Sequence, residues 1–561
     1  METSPDLRLQ PDPARYTLPR FLEDVCLRHA DRCALRFAGS SITYAELRSQ
    51  ARAWARGLVG LGVVKGARVA LLMGNRPEWV VSAFAVSMTG AVLVPVNTFA
   101  TPDELDYVLR HSDASLLLLQ SELLGHHYLD DLLRDHPALT RDVPGTIRCE
   151  ALPQLRAVVC LDLDAPRGAV EPWSAVARGG GDVSDAHLDA IAAEIAPSDD
   201  ALIIYTSGTT ARPKGILHSQ RAPVIQSWRF AESMDLGPED RVWTAQPFFW
   251  TAGLAMSLGA SLAAGARLIL QEHFDPAAAL ACIEAERATT LFAWPHQEKS
   301  MAEHPSAAHL DLSSVRRVEF SSPLAPLVGL EKDDWGTYGA YGLSETFTIA
   351  SSIPARSSAG LRRETSGRPL PGNVLRIVDP ESGAPVTSGE EGEIAVKGLT
   401  FMRGYYKVEP ELYLDDQGFF RTQDGGHLDA EGYLHWSGRL SNLIKTGGAN
   451  VSPAEIEAAL GRYAGLKAAH AVGVPHPSLG EAIVLCAIPV EGAELDADAL
   501  RTYLRQRLSA YKVPRRILVF RPGEVSYTGN QKVQLDPLRE AALAKLEDTH
   551  TEIAGFTYGG E

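Results

Sequence analysis

Ile203-Ile204-Tyr205-Thr206-Ser207-Gly208-Thr209-Thr210-Ala211-Arg212-Pro213-Lys214-Gly215-Ile216-Leu217-His218-Ser219 reads as a strand, a polar loop and a second strand. Two β-formers and a Tyr run into five consecutive small hydroxyl or glycine residues, and the apolar pattern resumes after Lys214. The hydroxyls and backbone N–H groups supply donors and Lys214 supplies charge, a composition suited to a polyphosphate. Gly208 and Gly215 remove a Cβ where backbone would approach a ligand closely. The pattern is not a Walker A loop, which needs Gly where Pro213 stands, Ser or Thr where Gly215 stands, and a following helix. The bland alternative is a Ser/Thr-rich surface turn.

A chain of 561 residues exceeds what one hydrophobic core supports, so several domains are expected. Apolar residues make up 45% and charged residues 22%, as in ordinary globular proteins. With 53 basic against 70 acidic residues and a net charge of −17, the composition argues against nucleic acid or an anionic membrane as a general partner. The N-terminus carries acids and no apolar core, unlike a secretory signal. Cys26, Cys33, Cys149, Cys160, Cys282 and Cys486 show neither paired nor metal-type spacing, so reduced thiols in a cytoplasmic protein are expected. Residues 79–96 and 251–266 lack charge, yet Gly90, Pro95 and Arg267 stop them short of a membrane span; each reads as a buried helix entering a buried strand.

Outward from the quoted stretch, helix and strand alternate. Thr43 and Glu46 form a capping pair, residues 68–73 and 91–96 are strands around a helix at 77–89, and 102–112 and 114–119 continue the repeat, as in βαβ units on a parallel sheet. Residues 162–199 look like a surface connection. A helix at 223–233 and a strand at 241–245 follow, then Phe248-Phe249-Trp250, which suits either core or the wall of an apolar pocket. No acid lies between Thr244 and Ser261, leaving a substrate ammonium without a counter-ion there. A strand is expected at 317–320, followed by Ser321-Ser322-Pro323 and by Gly336-Thr337-Tyr338-Gly339-Ala340-Tyr341-Gly342-Leu343-Ser344-Glu345-Thr346, where Tyr341 could stack on a purine and Glu345 could ligate Mg²⁺. Residues 367–435 turn all-β, as a small barrel or meander. After a break at 438–442, the Gly-rich ribbon Lys445-Thr446-Gly447-Gly448 leads into a helix begun by Ser452-Pro453. Residues 442–541 then form a second, small α/β domain, with Lys532 on a turn near its end. The expected class is α/β, with domains at 1–440 and 441–561.

These motifs, in this order from Ile42 to Lys532, resemble the adenylate-forming superfamily of acyl-CoA synthetases, adenylation domains and beetle luciferases. The resemblance rests on Tyr205–Gly215, Tyr341-Gly342-x-Ser344-Glu345, Asp424, Gly438-Arg439 and Lys532. It implies a large N-terminal domain of two α/β subdomains plus a small β-barrel-like one, and a small mobile C-terminal domain. It also implies an ATP-dependent acid:CoA ligase acting on a hydrophobic carboxylic acid. Thr206, Ser207, Gly208, Thr209, Thr210 and Lys214 would hold the phosphates, with Thr206 and Glu345 near Mg²⁺. Ser321, Ser322, Pro323, Tyr341, Gly342 and Ser344 would surround the adenine end. Asp424 would accept the ribose hydroxyls, assisted by Arg439, and Lys532 would act catalytically. Lys445, Gly447 and Gly448 would face CoA, and Phe249, Trp250, Gly253, Tyr338, Gly339 and Ala340 the acid. Rotation about Ser441 would exchange Lys532 for the Gly-rich ribbon.

The chain departs from the family at Ala211, Gln423, Ser441 and Gln531, and Trp250 stands where many relatives carry His. Two alternatives stay open: an adenylating enzyme that passes the acyl group to a carrier protein or an amine, and a catalytically inactive nucleotide-binding relative.

Overall fold

The computed structural model describes residues 15–206, 212–440, 444–451, 453–460, 463–490, 492–525 and 533–560. Ser207, Gly208, Thr209, Thr210, Ala211, Ser441, Gln531 and Lys532 lie outside the described residues, as does the side chain of Arg439.

The quoted stretch forms the hairpin Asp200–Thr206 and Lys214–Ser219, in register from Asp200↔Ser219 to Thr206↔Lys214. It belongs to an eight-stranded sheet. Beyond Asp200–Thr206, the strands Val92–Pro95, Arg68–Leu72, Leu116–Leu119, Ala157–Cys160 and Val170–Pro172 run parallel. On the other side the two-residue strand Gly404–Tyr405 pairs antiparallel with Lys214–Ser219 and ends the sheet. A second, five-stranded sheet orders Thr290–Phe292, Arg241–Thr244, Arg267–Leu270, Cys33–Phe37 and Ser40–Thr43, all parallel but the last pair.

One core fills the space between these sheets. Pro77–Met88 is buried almost all round, from Trp79 to Met88, which is why its sequence shows no polar face. Trp79 packs on Phe248 with ring centroids 5.2 Å apart. Tyr44–Gly60 begins at the expected capping box: Glu46 N donates to Thr43 Oγ1 at 3.1 Å, and Thr43 N donates to Glu46 Oε2 at 2.8 Å. Among the described residues no helix is long and apolar enough to cross a membrane.

Residues 162–199 are not a mere surface connection. Val170–Pro172 extends the sheet, Ala175 and Val176 are buried against Tyr44–Gly60, and Trp173 stacks on Trp54 at 4.3 Å. Nor is 317–320 a strand. Arg317 alone bridges to Thr290, and its buried guanidinium binds Asp240 Oδ1 at 2.5 Å, so an ion pair fixes this segment in place of a ladder. The apolar run at 251–266 contains a π-helix, Gly253–Gly259, before Ala260–Ala264; within it Gly253 packs on the Pro247 carbonyl and Gly259 on Ser227.

The all-β stretch is a meander of Asn373–Val378, Gly392–Gly398, Phe420–Leu428 and Leu434–Arg439. Beyond it, a sheet forms around the long hairpin Leu466–His476 and Gly480–Pro489, with Ile444–Thr446, Ala449–Val451 and Arg516–Val519 added. Helices Pro453–Leu460, Ala497–Arg505 and Leu535–Asp548 cover it. Tyr558 helps close this core: it is buried and donates to the Pro475 carbonyl at 3.0 Å.

Candidate active site

The phosphate-loop hairpin and the Ser344-Glu345 turn are built as one unit. His218, fully buried on Lys214–Ser219, meets the Ser344 carbonyl through Nε2 at 2.8 Å. Burial pushes its pKa down to about 3, so it is neutral and donates that bond. Tyr405, on the strand that ends the sheet, donates from its hydroxyl to Glu345 Oε1 at 2.6 Å, and the Met402 N–H holds the Glu345 carbonyl at 2.7 Å. Lys214 Nζ lies 4.8 Å from the centroid of the same Tyr405 ring. Thr206, Lys214, Ser344 and Glu345, distant in sequence, thus share one corner.

That corner opens into a cavity of about 590 Å³. Thr206, Lys214, Ser344, Glu345 and Gln423 line it together with Trp250, Gly448 and Tyr511. Gly448 comes from the Gly-rich ribbon of the C-terminal portion. Its φ of +83° and a Cβ position 2.8 Å from Trp294 Cε3 leave room for nothing larger than glycine. Gly215, in contrast, makes its close approach to Ile203 and Tyr205 of its own hairpin, not toward the cavity.

A second cavity of about 230 Å³ adjoins Trp250 and Gly447 and is bordered by Phe99, His296 and Arg515. Aromatic rings separate the two. Trp250 makes edge contacts with Phe249, Tyr511 and Trp294 at 4.8, 6.0 and 6.4 Å, and Phe99 meets Tyr511 at 6.1 Å. Burial pushes the Tyr511 hydroxyl up to about 12, and burial with the neighbouring Arg515 charge lowers the His296 pKa. The lining is mixed: Phe99, Trp250, Trp294 and Phe274 are apolar, while Asn75 and Gln297 are polar and Glu272 and Arg515 carry charge.

The other described candidate residues do not line these cavities. Asp424 is buried, and its Oδ2 accepts from the Tyr341 hydroxyl at 2.9 Å, which joins two residues expected at opposite ends of a nucleoside. Ser321 donates to the Tyr338 hydroxyl at 3.3 Å, with Ser322 buried beside it. Gly339 abuts Ile353, and Gly342 abuts the Thr348 carbonyl, so each is required by packing. Lys445 Nζ sits 3.9 Å over the Trp436 ring. Gln423 adopts φ of +59°, a left-handed conformation that a glycine would take without strain.

Sequence reasoning missed Tyr405, His218, Trp294 and Tyr511. No local signal marks them; each acquires its role through a partner more than 30 positions away.

Residues 22–406 match the model of the AMP-binding enzyme family. The chain belongs to that family. Residues 455–532 match the companion AMP-binding enzyme C-terminal domain. Among curated relatives, the feruloyl-CoA synthase of an Amycolatopsis species is 32% identical over 86% of this chain and 91% of its own length. The indoleacetate–CoA ligase of Aromatoleum aromaticum is 31% identical over 92% of this chain and 97% of its own. Among solved structures, the amide bond synthetase McbA of Marinactinospora thermotolerans superposes with a TM-score of 0.74 at 27% identity, covering 94% of this chain and 99% of that one. As a family member the chain is an adenylate-forming enzyme of the acyl-CoA synthetase type, an AMP-forming acid–thiol ligase.

Proposed function

We propose that this enzyme activates a hydrophobic monocarboxylic acid with ATP and Mg²⁺ and passes the acyl group to CoA. The observation that carries the reading is the single cavity whose wall joins Lys214 and Glu345 to Gly448 and Trp250. Lys214 suits phosphate, and the rings of Trp250, Trp294 and Tyr511 in the same lining suit an apolar group.

In the first step a carboxylate oxygen of the acid attacks the α-phosphorus and pyrophosphate leaves. Lys214, with the hydroxyls and amides of the loop after Thr206, bears the phosphate charge, and Lys532 joins them when the small domain turns about Ser441. Arg439 and Asp424 hold the ribose, and Ser321 to Pro323 with Tyr341 the adenine. Thr206 and Glu345 offer a hydroxyl and a carboxylate in one cavity wall. No group of three or more His, Cys, Asp or Glu side chains among the described residues could itself hold a metal. Such a sparse oxygen donor set fits Mg²⁺, whose remaining ligands are phosphate oxygens and water. Bound there, the ion would neutralise charge on the phosphates.

In the second step the CoA thiol attacks the acyl carbonyl and AMP leaves. Gly447 and Gly448 let the pantetheine arm pass between the aromatic rings, and Trp250 with Phe249 walls the acyl group. The aromatic rings packed around Trp250 favour a bulky apolar acid.

The test is acid-dependent release of pyrophosphate and AMP across a panel of aliphatic and aromatic acids, with and without CoA. AMP release that requires CoA and yields a thioester is expected. Pyrophosphate release indifferent to CoA would point to an amine or a carrier protein as acceptor, and no turnover with any acid would overturn the reading.

A further inference from the structure

A second junction between the two parts of the chain lies apart from the cavities' reactive corner. Lys512 follows Tyr511 in the small part and is 2% exposed. Its ammonium donates to Glu455 Oε1 at 2.7 Å and to Glu104 Oε1 at 2.9 Å. Glu455 sits in the first turn of Pro453–Leu460, in the same part as Lys512; Glu104 belongs to Pro102–His111 of the large part. Ser509 donates to Glu104 Oε2 at 2.5 Å and accepts from Asn97 Nδ2 at 3.3 Å. Burial opposes the Lys512 charge, but Tyr511, Glu104 and Glu455 around it hold its pKa above the ordinary lysine value.

The partners divide unequally. If the small domain turns, Glu455 travels with Lys512 while Glu104 stays behind. Glu104 loses little by this, because its Oε2 also closes the capping box of its own helix, accepting from Thr101 N at 3.0 Å. Lys512 keeps one carboxylate in either orientation and gains a second only in the one described here, which also seats Gly448 against Trp294. A buried ammonium stripped of a partner is costly, so the second carboxylate favours that orientation selectively.

We infer that Glu104 and Lys512 are positioning residues for thioester formation: their interdomain ion pair, backed by Ser509, holds the Gly447-Gly448 ribbon at the aromatic gate and is released for adenylation. The inference rests on the two-step reading above.

Glu104→Gln tests it, since glutamine keeps the helix cap while removing the charge. Adenylation is read by acid-dependent ATP–pyrophosphate exchange. Thioester formation is read by single turnover of preformed acyl adenylate with CoA. Exchange should stay within about twofold of the parent while the second step slows about tenfold or more, a loss typical of one partner of a buried pair. Ser509→Ala should show the same split at smaller amplitude, and the Glu104→Gln/Ser509→Ala double variant should be less than additive. Two half-reactions that are both unaffected, or that fall together at unchanged melting temperature, overturn the pair's role. A parent chain that forms no acyl adenylate from any acid overturns instead the reading on which it rests.

Discussion

Replacing Gly448 by alanine separates two costs that the structure lets one assign. The first is conformational. Gly448 has φ of +83°, and an L-residue held in the left-handed region costs about 1–2 kcal/mol. That strain stays with the ribbon wherever the small domain points, so it lowers the domain's stability without favouring either half-reaction. The second is steric. The new methyl would lie 2.8 Å from Trp294 Cε3 and 2.9 Å from Cδ2, against a flat ring that cannot fold away. Overpacking of this kind costs about 1–3 kcal/mol, and only while the ribbon is seated. Thioester formation from preformed acyl adenylate should therefore fall about 5- to 150-fold, with ATP–pyrophosphate exchange unchanged. Trp294→Ala in the same background should restore most of the loss, as coupling across a direct contact requires. If Gly448→Ala forms thioester at the parental rate, or if both half-reactions drop and Trp294→Ala rescues neither, the seated ribbon is not the thioester-forming arrangement.

Other outcomes follow from single contacts. Tyr405→Phe removes the donor at 2.6 Å from Glu345 and should slow adenylation about tenfold while raising the Mg²⁺ concentration needed for half-maximal rate; an unchanged Mg²⁺ dependence would remove Tyr405 from the site. Burial, reinforced by Glu319 and opposed by Ser322, pushes the Glu298 carboxyl up to about 7 from 4.5. The folded state keeps that proton after the unfolded chain has lost it, so this group erodes stability as pH rises from about 4.5 to about 7. Glu298→Gln should gain on the parent over that window by at most about 3 kcal/mol, read by urea unfolding at pH 5 and pH 8; a gap independent of pH would refute the shift. At Gln423, glycine should be near neutral, since relief of left-handed strain is offset by backbone entropy, whereas valine should cost about 1–2 kcal/mol; equal melting temperatures would refute the strained conformation. Trp250→Ala should move the acid preference toward larger substrates, and an unchanged profile would place the acyl group elsewhere.

The parallel sheet, the hairpin around the phosphate loop, the meander and the second small sheet were all legible, because periodicity and glycine punctuation are local signals. The helix cap at Thr43 was legible down to its hydrogen bonds for the same reason. What escaped was set by partners remote in sequence. Residues 162–199 looked like connection because they are poor in pattern, with Gly179-Gly180-Gly181 and many Ala and Asp, yet Trp173 and Val176 meet a helix more than 100 positions earlier. Arg317 begins what reads as a strand, and a buried Asp240 overrides it. At the site, motif spacing identified Thr206, Lys214, Glu345 and Gly448, which do share one cavity. It could not identify Tyr405 or Lys512: a tyrosine in a β stretch and a lysine after a tyrosine are ordinary until Glu345 and Glu104 stand beside them.

The pairing of Gly404–Tyr405 with Lys214–Ser219 also bears on how the molecule is assembled. The strand carrying Lys214 presents, until those two residues arrive from nearly 190 positions downstream, an open row of amides and carbonyls. Contacts of such sequence separation form late. An intermediate that has built the parallel sheet but lacks this cover exposes a template for edge-to-edge association. The residue that completes the edge is the one that orients Glu345, so folding yield and the placing of that carboxylate are tied to the same short strand. Variants there would be lost to aggregation as readily as to inactivity.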